Sequence, residues 1–287
     1  MSQTVTLKNS TLTAEISTLG AELISVRGMT GEPLLWYGDA KWWEGHSPIL
    51  FPICSSLKGG SYTHGGVTYS LPQHGFAKTS EFTLVEAEED FAKFCLTDSA
   101  ESRLVYPFSF ELTVEYFLVG PSIGVTYRVK NCSEETMYYS IGSHEGFSLP
   151  EGVEKYALVF DKEETIGSCV LDGPILSHEV TPIMEKERIL PLKEEYFEID
   201  ALIFEKLASR AVMLTRLGDG RFFRVEFPDF DHLLVWQPQG APFVCIEPWT
   251  GMPDYTDVSG ILAEKPYITA LPAGEEKTHF HRVIFGE

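Results

Sequence analysis

The spacing of apolar residues restricts this chain more than any other feature. Through most of its length they recur at every second position, in short runs rich in β-branched and aromatic side chains, as in strands with one face buried. Such runs cover residues 5–8, 12–16, 21–26, 81–86, 94–96, 110–118, 123–129, 156–160, 212–216, 222–227, 233–237, 243–247 and 278–285. The first two read as hairpin arms joined through Asn9-Ser10. The turns Val119-Gly120-Pro121-Ser122 and Leu217-Gly218-Asp219-Gly220 join further antiparallel pairs. Helical spacing is confined to 100–106 and 201–207, one or two turns each. There is no repeated strand–helix alternation and no glycine-rich phosphate motif, which disfavours nucleotide-binding α/β folds. No Ser/Gly/Pro linker and no fixed-period repeat divides the chain. The expected architecture is all-β, one large antiparallel sandwich domain spanning residues 1–287.

Charge and cysteine usage narrow the partners. The 287 residues carry 22 basic against 42 acidic side chains, a formal net charge of -20. Such a surface repels phosphates, so neither nucleic acid nor an anionic membrane is an expected partner. Five cysteines, at 54, 95, 132, 169 and 245, are widely spaced and form no C-x-x-C, which suggests neither a disulfide framework nor a zinc ribbon. The first residues lack the basic and apolar regions of a signal peptide, and no apolar run approaches a membrane span. A reduced, cytoplasmic setting is the expectation.

Four segments interrupt the strand pattern with polar and turn residues: Pro48-Ile49-Leu50-Phe51-Pro52-Ile53-Cys54, Leu71-Pro72-Gln73-His74-Gly75-Phe76-Ala77, Ile141-Gly142-Ser143-His144-Glu145-Gly146-Phe147 and Cys245-Ile246-Glu247-Pro248-Trp249-Thr250-Gly251. Glu247 closes the apolar run 243–246, so a buried strand delivers it, and Pro248 is expected to stop the ladder. Lost solvation raises a carboxyl pKa toward the range of a useful base. The plain alternative is a solvated or paired glutamate at a strand end. His74 and His144 stand beside turn glycines and suit proton transfer near neutrality, or else bond to backbone as structural histidines. As metal ligands with Glu247 they lack any recognised spacing, so no metal site is expected. His279 and His281 fall on one face of an ordinary final strand and are given no role. Among five tryptophans, Trp249 is the best candidate for the wall of a sugar site, where a flat ring packs on C–H faces.

Taken in order, Pro48-Ile49-Leu50-Phe51-Pro52, Gln73-His74-Gly75-Phe76-Ala77, Gly142-Ser143-His144 with Phe147, Asp200-Ala201-Leu202-Ile203-Phe204 and Glu247-Pro248-Trp249 make the chain resemble the aldose 1-epimerase (galactose mutarotase-like) family, most closely its shorter LacX-like branch. The resemblance spans essentially the whole chain. It implies a β-supersandwich and interconversion of the α and β anomers of a free aldohexose without a cofactor. It also implies Glu247 as general base, His144 as general acid, His74 near the ring oxygen and Asp200 on sugar hydroxyls. Ser56 stands where the family commonly has an arginine, which removes a fork of donors from the expected site.

The residue types suit that chemistry. A base takes the O1 proton while an acid protonates the ring oxygen, the C1–O5 bond opens, and rotation about C1–C2 precedes closure on the other face. His74, His144 and Glu247 are therefore expected to line one open cleft. Three rivals stay open: a sugar-phosphate epimerase, a non-catalytic sugar-binding protein and a glycoside hydrolase. The first needs cations near the pocket, and Lys58 alone is in view. The second needs no acid–base pair, and the third needs two carboxylates bracketing a glycosidic bond.

Overall fold

The computed structural model describes residues 2–198, 200–218 and 220–286. Along the chain run β1 (Thr4–Lys8), β2 (Thr13–Ser17), β3 (Leu23–Arg27), β4 (Ser61–His64), β5 (Val67–Ser70), β6 (Thr83–Ala87), β7 (Phe91–Thr97) and a one-turn helix α1 (Ala100–Arg103). There follow β8 (Phe110–Val119), β9 (Ser122–Asn131), β10 (Met137–Tyr139), β11 (Glu145–Ser148), β12 (Tyr156–Asp172), β13 (Ile175–Pro191) and β14 (Ala201–Phe204). The last are β15 (Ala211–Arg216), β16 (Phe222–Glu226), β17 (His232–Trp236), β18 (Phe243–Trp249), β19 (Thr269–Leu271) and β20 (Glu276–Gly286). The fold is all-β, as the alternation predicts.

A nine-stranded antiparallel sheet, ordered β13-β12-β15-β16-β20-β9-β8-β7-β6, forms the broad layer. Its centre follows from period two: β8 turns Phe110, Leu112, Val114, Tyr116 and Leu118 inward, and β9 turns Ile123, Val125, Tyr127 and Val129. Each such side chain contributes about 1.5–3 kcal/mol when buried. The β8–β9 turn closes with Val119 opposite Ser122. The first hairpin forms as expected, with Asn9 Oδ1 accepting from the N–H groups of Thr11 and Leu12. Asp219, part of the expected Leu217–Gly220 turn, lies outside the described residues.

A second sheet, β11-β18-β17-β14, positions the site. One face, with Phe147, Val244, Ile246, Leu233, Val235, Leu202 and Phe204, joins the main core. The opposite face carries Cys245, Glu247, Leu234, Trp236 and Ile203. Because both faces are covered, the strands read as continuous apolar runs rather than clean alternation.

That coverage explains one correction. Residues 201–207, expected to be helical, begin instead with β14, which pairs with β17 through Ala201–Trp236 to Phe204–Leu233. Helical and buried-strand patterns cannot be told apart in so short an apolar run. The helix expected at 100–106 stops at Arg103. Strand β13, not foreseen, is a sheet edge whose mostly exposed, charged residues and Pro182 suit an edge and hide the alternation. It and β12 form a long hairpin. Its far end is strapped to residues 254–256 by Leu176, whose N–H donates to Asp254 O and whose carbonyl accepts from Thr256 N–H.

Candidate active site

The interrupting segments meet through isolated pairings. Phe51 pairs with Gly75, Leu50 with Gly142, and Gly142 with Trp249. Gly75 has φ +70°, and a Cβ there would sit 2.2 Å from the carbonyl oxygen of Phe51. Only glycine allows that approach, and it fixes the loop bearing His74 against the Phe51–Pro52 segment. A Cβ on Gly142 would lie 2.5 Å from Trp249 Cδ1, so the segment before His144 is pressed onto the indole.

Register places the central pair. Glu145 is opposite Ile246, so continuing the ladder by one residue brings His144 opposite Glu247 on the outer face. The Ser143 N–H donates to Pro248 O, which extends that ladder. Pro248 therefore does not end the strand, as the sequence had suggested: β18 continues to Trp249, and Pro248 pairs with Leu233. A strand residue points its N–H and C=O to the same side, so the missing donor falls on the β11 side and costs no bond to β17.

His144, Glu247, His74, Asp200 and Trp249 all line one cavity of about 580 Å³, within the usual range for small-molecule sites of about 300–1,000 Å³. His144 Nε2 and Glu247 Oε2 are 3.3 Å apart, with Glu247 1% exposed. The contact lacks hydrogen-bond alignment, and Glu247 Oε2 and His144 Nδ1 are buried without a hydrogen-bond partner among the described residues. Burial first, then the charges of Asp200 and Glu145, push the Glu247 carboxyl well above its ordinary range. Burial pulls the His144 imidazole down to about 4.

His74 has φ +66°, and its Nδ1 accepts from the Ser55 N–H at 3.0 Å, leaving Nε2 as the free ring nitrogen. Burial, then the charges of His144 and Lys78, hold its pKa well below the histidine range. Asp200 is exposed at the cavity rim; partial burial raises its pKa, and a hydrogen bond from Trp236 opposes this. Trp249 is 2% exposed, and its indole N–H donates to Ser143 O at 3.1 Å, so only its apolar surface is left to the cavity. The His74 ring stands edge-on to it, 5.5 Å between centroids.

Sequence reasoning missed several wall residues. Trp43 packs on His144 at 4.9 Å between ring centroids, and Trp236 stands edge-on to His144 at 5.7 Å. Lys78 reaches the cavity from the turn after Ala77, and burial lowers its pKa. Lys58, the cation singled out from sequence, is exposed, with its backbone N–H bonded to Asp254. Ser55, rather than Ser56, lines the cavity; the Ser56 carbonyl accepts from the Asp254 N–H.

Cys245 was also missed, although period two puts it on the face of Glu247. It is fully buried, and burial, then the charges of Glu247 and Glu145, push its thiol well above the ordinary range. One ligand atom each from His144, Cys245 and Glu247 lie within 4.8 Å of one another. His279 and His281 share one face of β20, as read, but both are buried: Tyr139 Oη is 2.8 Å from His279 Nε2, and Glu145 Oε1 is 2.8 Å from His281 Nε2.

Comparison with known proteins agrees with this fold. The sequence profile of the aldose 1-epimerase family matches residues 3–283. The chromosomal LacX protein of Lactococcus lactis subsp. lactis is 35% identical over 296 aligned positions, covering 98% of this chain and 99% of that protein. A galactose mutarotase related enzyme from Lactobacillus acidophilus superposes with a TM-score of 0.93 at 32% identity, covering 99% of this chain and 98% of its own. A galactose mutarotase-like protein from Lactobacillus casei gives 0.94 at 26% identity, covering 99% and 100%. The chain belongs to the aldose 1-epimerase family.

Proposed function

We propose that this protein interconverts the α and β anomers of a free aldohexose by acid–base ring opening and closure. The observation that carries the reading is the His144–Glu247 contact of 3.3 Å, buried and unaligned at the wall of a sugar-sized cavity. The pair shares one exchangeable proton. Glutamate with imidazolium and glutamic acid with imidazole have the same net charge and differ only in where that proton sits. Burial favours the neutral form at rest. A sugar O1 hydroxyl donating to Glu247, with O5 accepting from His144, favours the ionic form. One member then accepts the O1 proton as the other gives a proton to O5, the C1–O5 bond breaks, and the roles reverse on closure. Such a pair supplies about 10²–10⁴-fold. In this reading His74 Nε2 donates to the ring oxygen or its neighbouring hydroxyl, Asp200 accepts from hydroxyls, and Trp249 is an apolar wall.

The test is Glu247→Gln, which keeps shape and loses the proton acceptor. Mutarotation followed by polarimetry should fall by about 10²-fold or more. Near-normal turnover would make Glu247 structural.

Lys78 favours a second reading, an aldose bearing a phosphate, since it puts a cation on the cavity wall. Against it stands the net charge of -20, which repels a dianion. NMR exchange rates on free glucose or galactose and on their 6-phosphates, at equal concentration and ionic strength, separate the two. Faster exchange of the free sugars is expected, and a clear preference for the phosphates would reassign the substrate.

A further inference from the structure

Three side chains of different chemistry converge beside the cavity: His144 and Glu247 line it, and Cys245 is buried behind them. Cys245 and Glu247 are two residues apart on β18 and share its outer face, and His144 stands opposite Glu247 across the ladder. All three are buried, and their nearest donor atoms fall within 4.8 Å of one another. Among the described residues, Glu247 Oε2 has no hydrogen-bond partner, and neither does His144 Nδ1.

We propose that His144, Cys245 and Glu247 form a binding site for a thiophilic divalent cation of the zinc class, and that its occupation switches the acid–base pair off. The donor set decides the class of ion. Thiolate, imidazole and carboxylate together suit zinc and cadmium, whereas magnesium and calcium select oxygen ligands throughout. Zinc bonds to sulfur at about 2.3 Å and to nitrogen or oxygen at about 2.0–2.2 Å, which puts tetrahedral ligand atoms roughly 3.5 Å apart. The His144–Glu247 separation of 3.3 Å already meets that, and the Cys245 thiol, within 4.8 Å of the other two ligand atoms, has to close by about 1 Å. Three protein ligands leave the fourth position to water on the cavity side.

Charge balance favours the same ion. On binding, the Cys245 thiol releases its proton to solvent, and the His144–Glu247 pair releases the one proton it shares. A divalent cation with one thiolate and one carboxylate then leaves no net charge in a buried site, which avoids the main cost of placing an ion there. The bound metal occupies the lone pairs that His144 and Glu247 need for proton transfer. Loss of turnover follows, and sugar and metal compete.

The inhibition part rests on the acid–base reading above, and the binding part does not. Purified protein is titrated with cadmium chloride while the thiolate-to-cadmium charge-transfer absorption is followed in the ultraviolet. Mutarotation is then measured against added zinc chloride. One equivalent of cadmium should raise the band in the native protein, and Cys245→Ser should lose that equivalent. Cys245→Ser should keep turnover within about twofold and need at least tenfold more zinc for half inhibition. Cys245→Ala, with circular dichroism to check folding, replaces it if a buried hydroxyl is not tolerated. A band that persists undiminished without Cys245, or no band in the native protein, overturns the site. Unchanged zinc sensitivity in the variant overturns the switch. Absence of turnover in native, metal-free protein would instead sink the acid–base reading, while the absorption titration still decides the site.

Discussion

Two histidine–glutamate pairs start from consecutive residues and end in opposite conditions. Glu145 points into the core, where His281 Nε2 meets its Oε1 at 2.8 Å and the His281 ring lies parallel to Tyr127, 5.7 Å between centroids. His144 points outward to Glu247 at 3.3 Å, beside a cavity. Burial pushes the Glu145 carboxyl up, but the charge and hydrogen bond of His281, joined by smaller contributions from Ser143 and the backbone, outweigh it and hold it below the ordinary range. Nothing comparable rescues Glu247, so burial wins there. The residue types are the same in both pairs; what separates them is whether the partner is aligned well enough to repay desolvation. The inner pair is fixed by its bond, and the outer one stands unaligned beside the cavity.

The sharpest way to break that contrast is to remove one carboxylate at a time. Glu145→Ala leaves His281 buried without its partner and should cost about 3–5 kcal/mol in urea unfolding. Glu247→Gln should leave unfolding stability equal or higher, because its ionisation is disfavoured in the folded state, while mutarotation collapses. Equal stability losses in both variants would erase the distinction between the pairs.

A smaller effect separates them by pH. The folded His144 pKa, about 4, is below the unfolded value, so the unfolded state gains protons first as pH falls from about 6.5, with a stability loss on the order of 3 kcal/mol by pH 4. Glu145 has the ordinary acid sign: its folded pKa is depressed, so its contribution is present above the unfolded carboxyl pKa and disappears as pH falls through the folded value. His144→Gln should therefore flatten the urea midpoint between pH 6.5 and 4 and leave the steeper loss at lower pH. An unaltered profile would mean that His144 is not held neutral.

The smallest effect is cross-talk. The charge of Glu145 is the third cause raising Glu247, after burial and Asp200. Glu145→Gln should shift the pH profile of kcat/KM toward acid by a minor part of the whole perturbation. A shift toward alkali would reverse the inferred coupling.

Much of this was legible in sequence, for definable reasons. Period two located the central strands, because β8 and β9 have a covered face and a freer one. It failed at β14, which is covered on both sides, and at β13, which is an edge. The motif segments gave His74, His144, Asp200, Glu247 and Trp249, all of which reach one cavity. The 3.3 Å contact was not legible, since it depends on the register of strands about a hundred residues apart. Lys78 was invisible as a wall residue because a turn presents it, and Trp43, counted among the five tryptophans, carried no signal that ranked it with Trp249. Cys245 was readable in principle: alternation along β18 puts it on the side of Glu247.

The adjacency of His144 and Glu145 also makes the ladder self-checking. Side-chain direction in a strand depends on parity, so an odd slip of β11 against β18 would exchange the two residues between faces. Glu145 would then confront Glu247 and Asp200, carboxylate against carboxylates, and His144 would confront His281, ring against ring. Either encounter gives up an imidazole–carboxylate pair: carboxyls brought together must take up protons to stay buried, and two facing imidazoles cannot both be protonated. The misfolded frame is penalised at both residues, so this one dipeptide also selects against odd slips of the register.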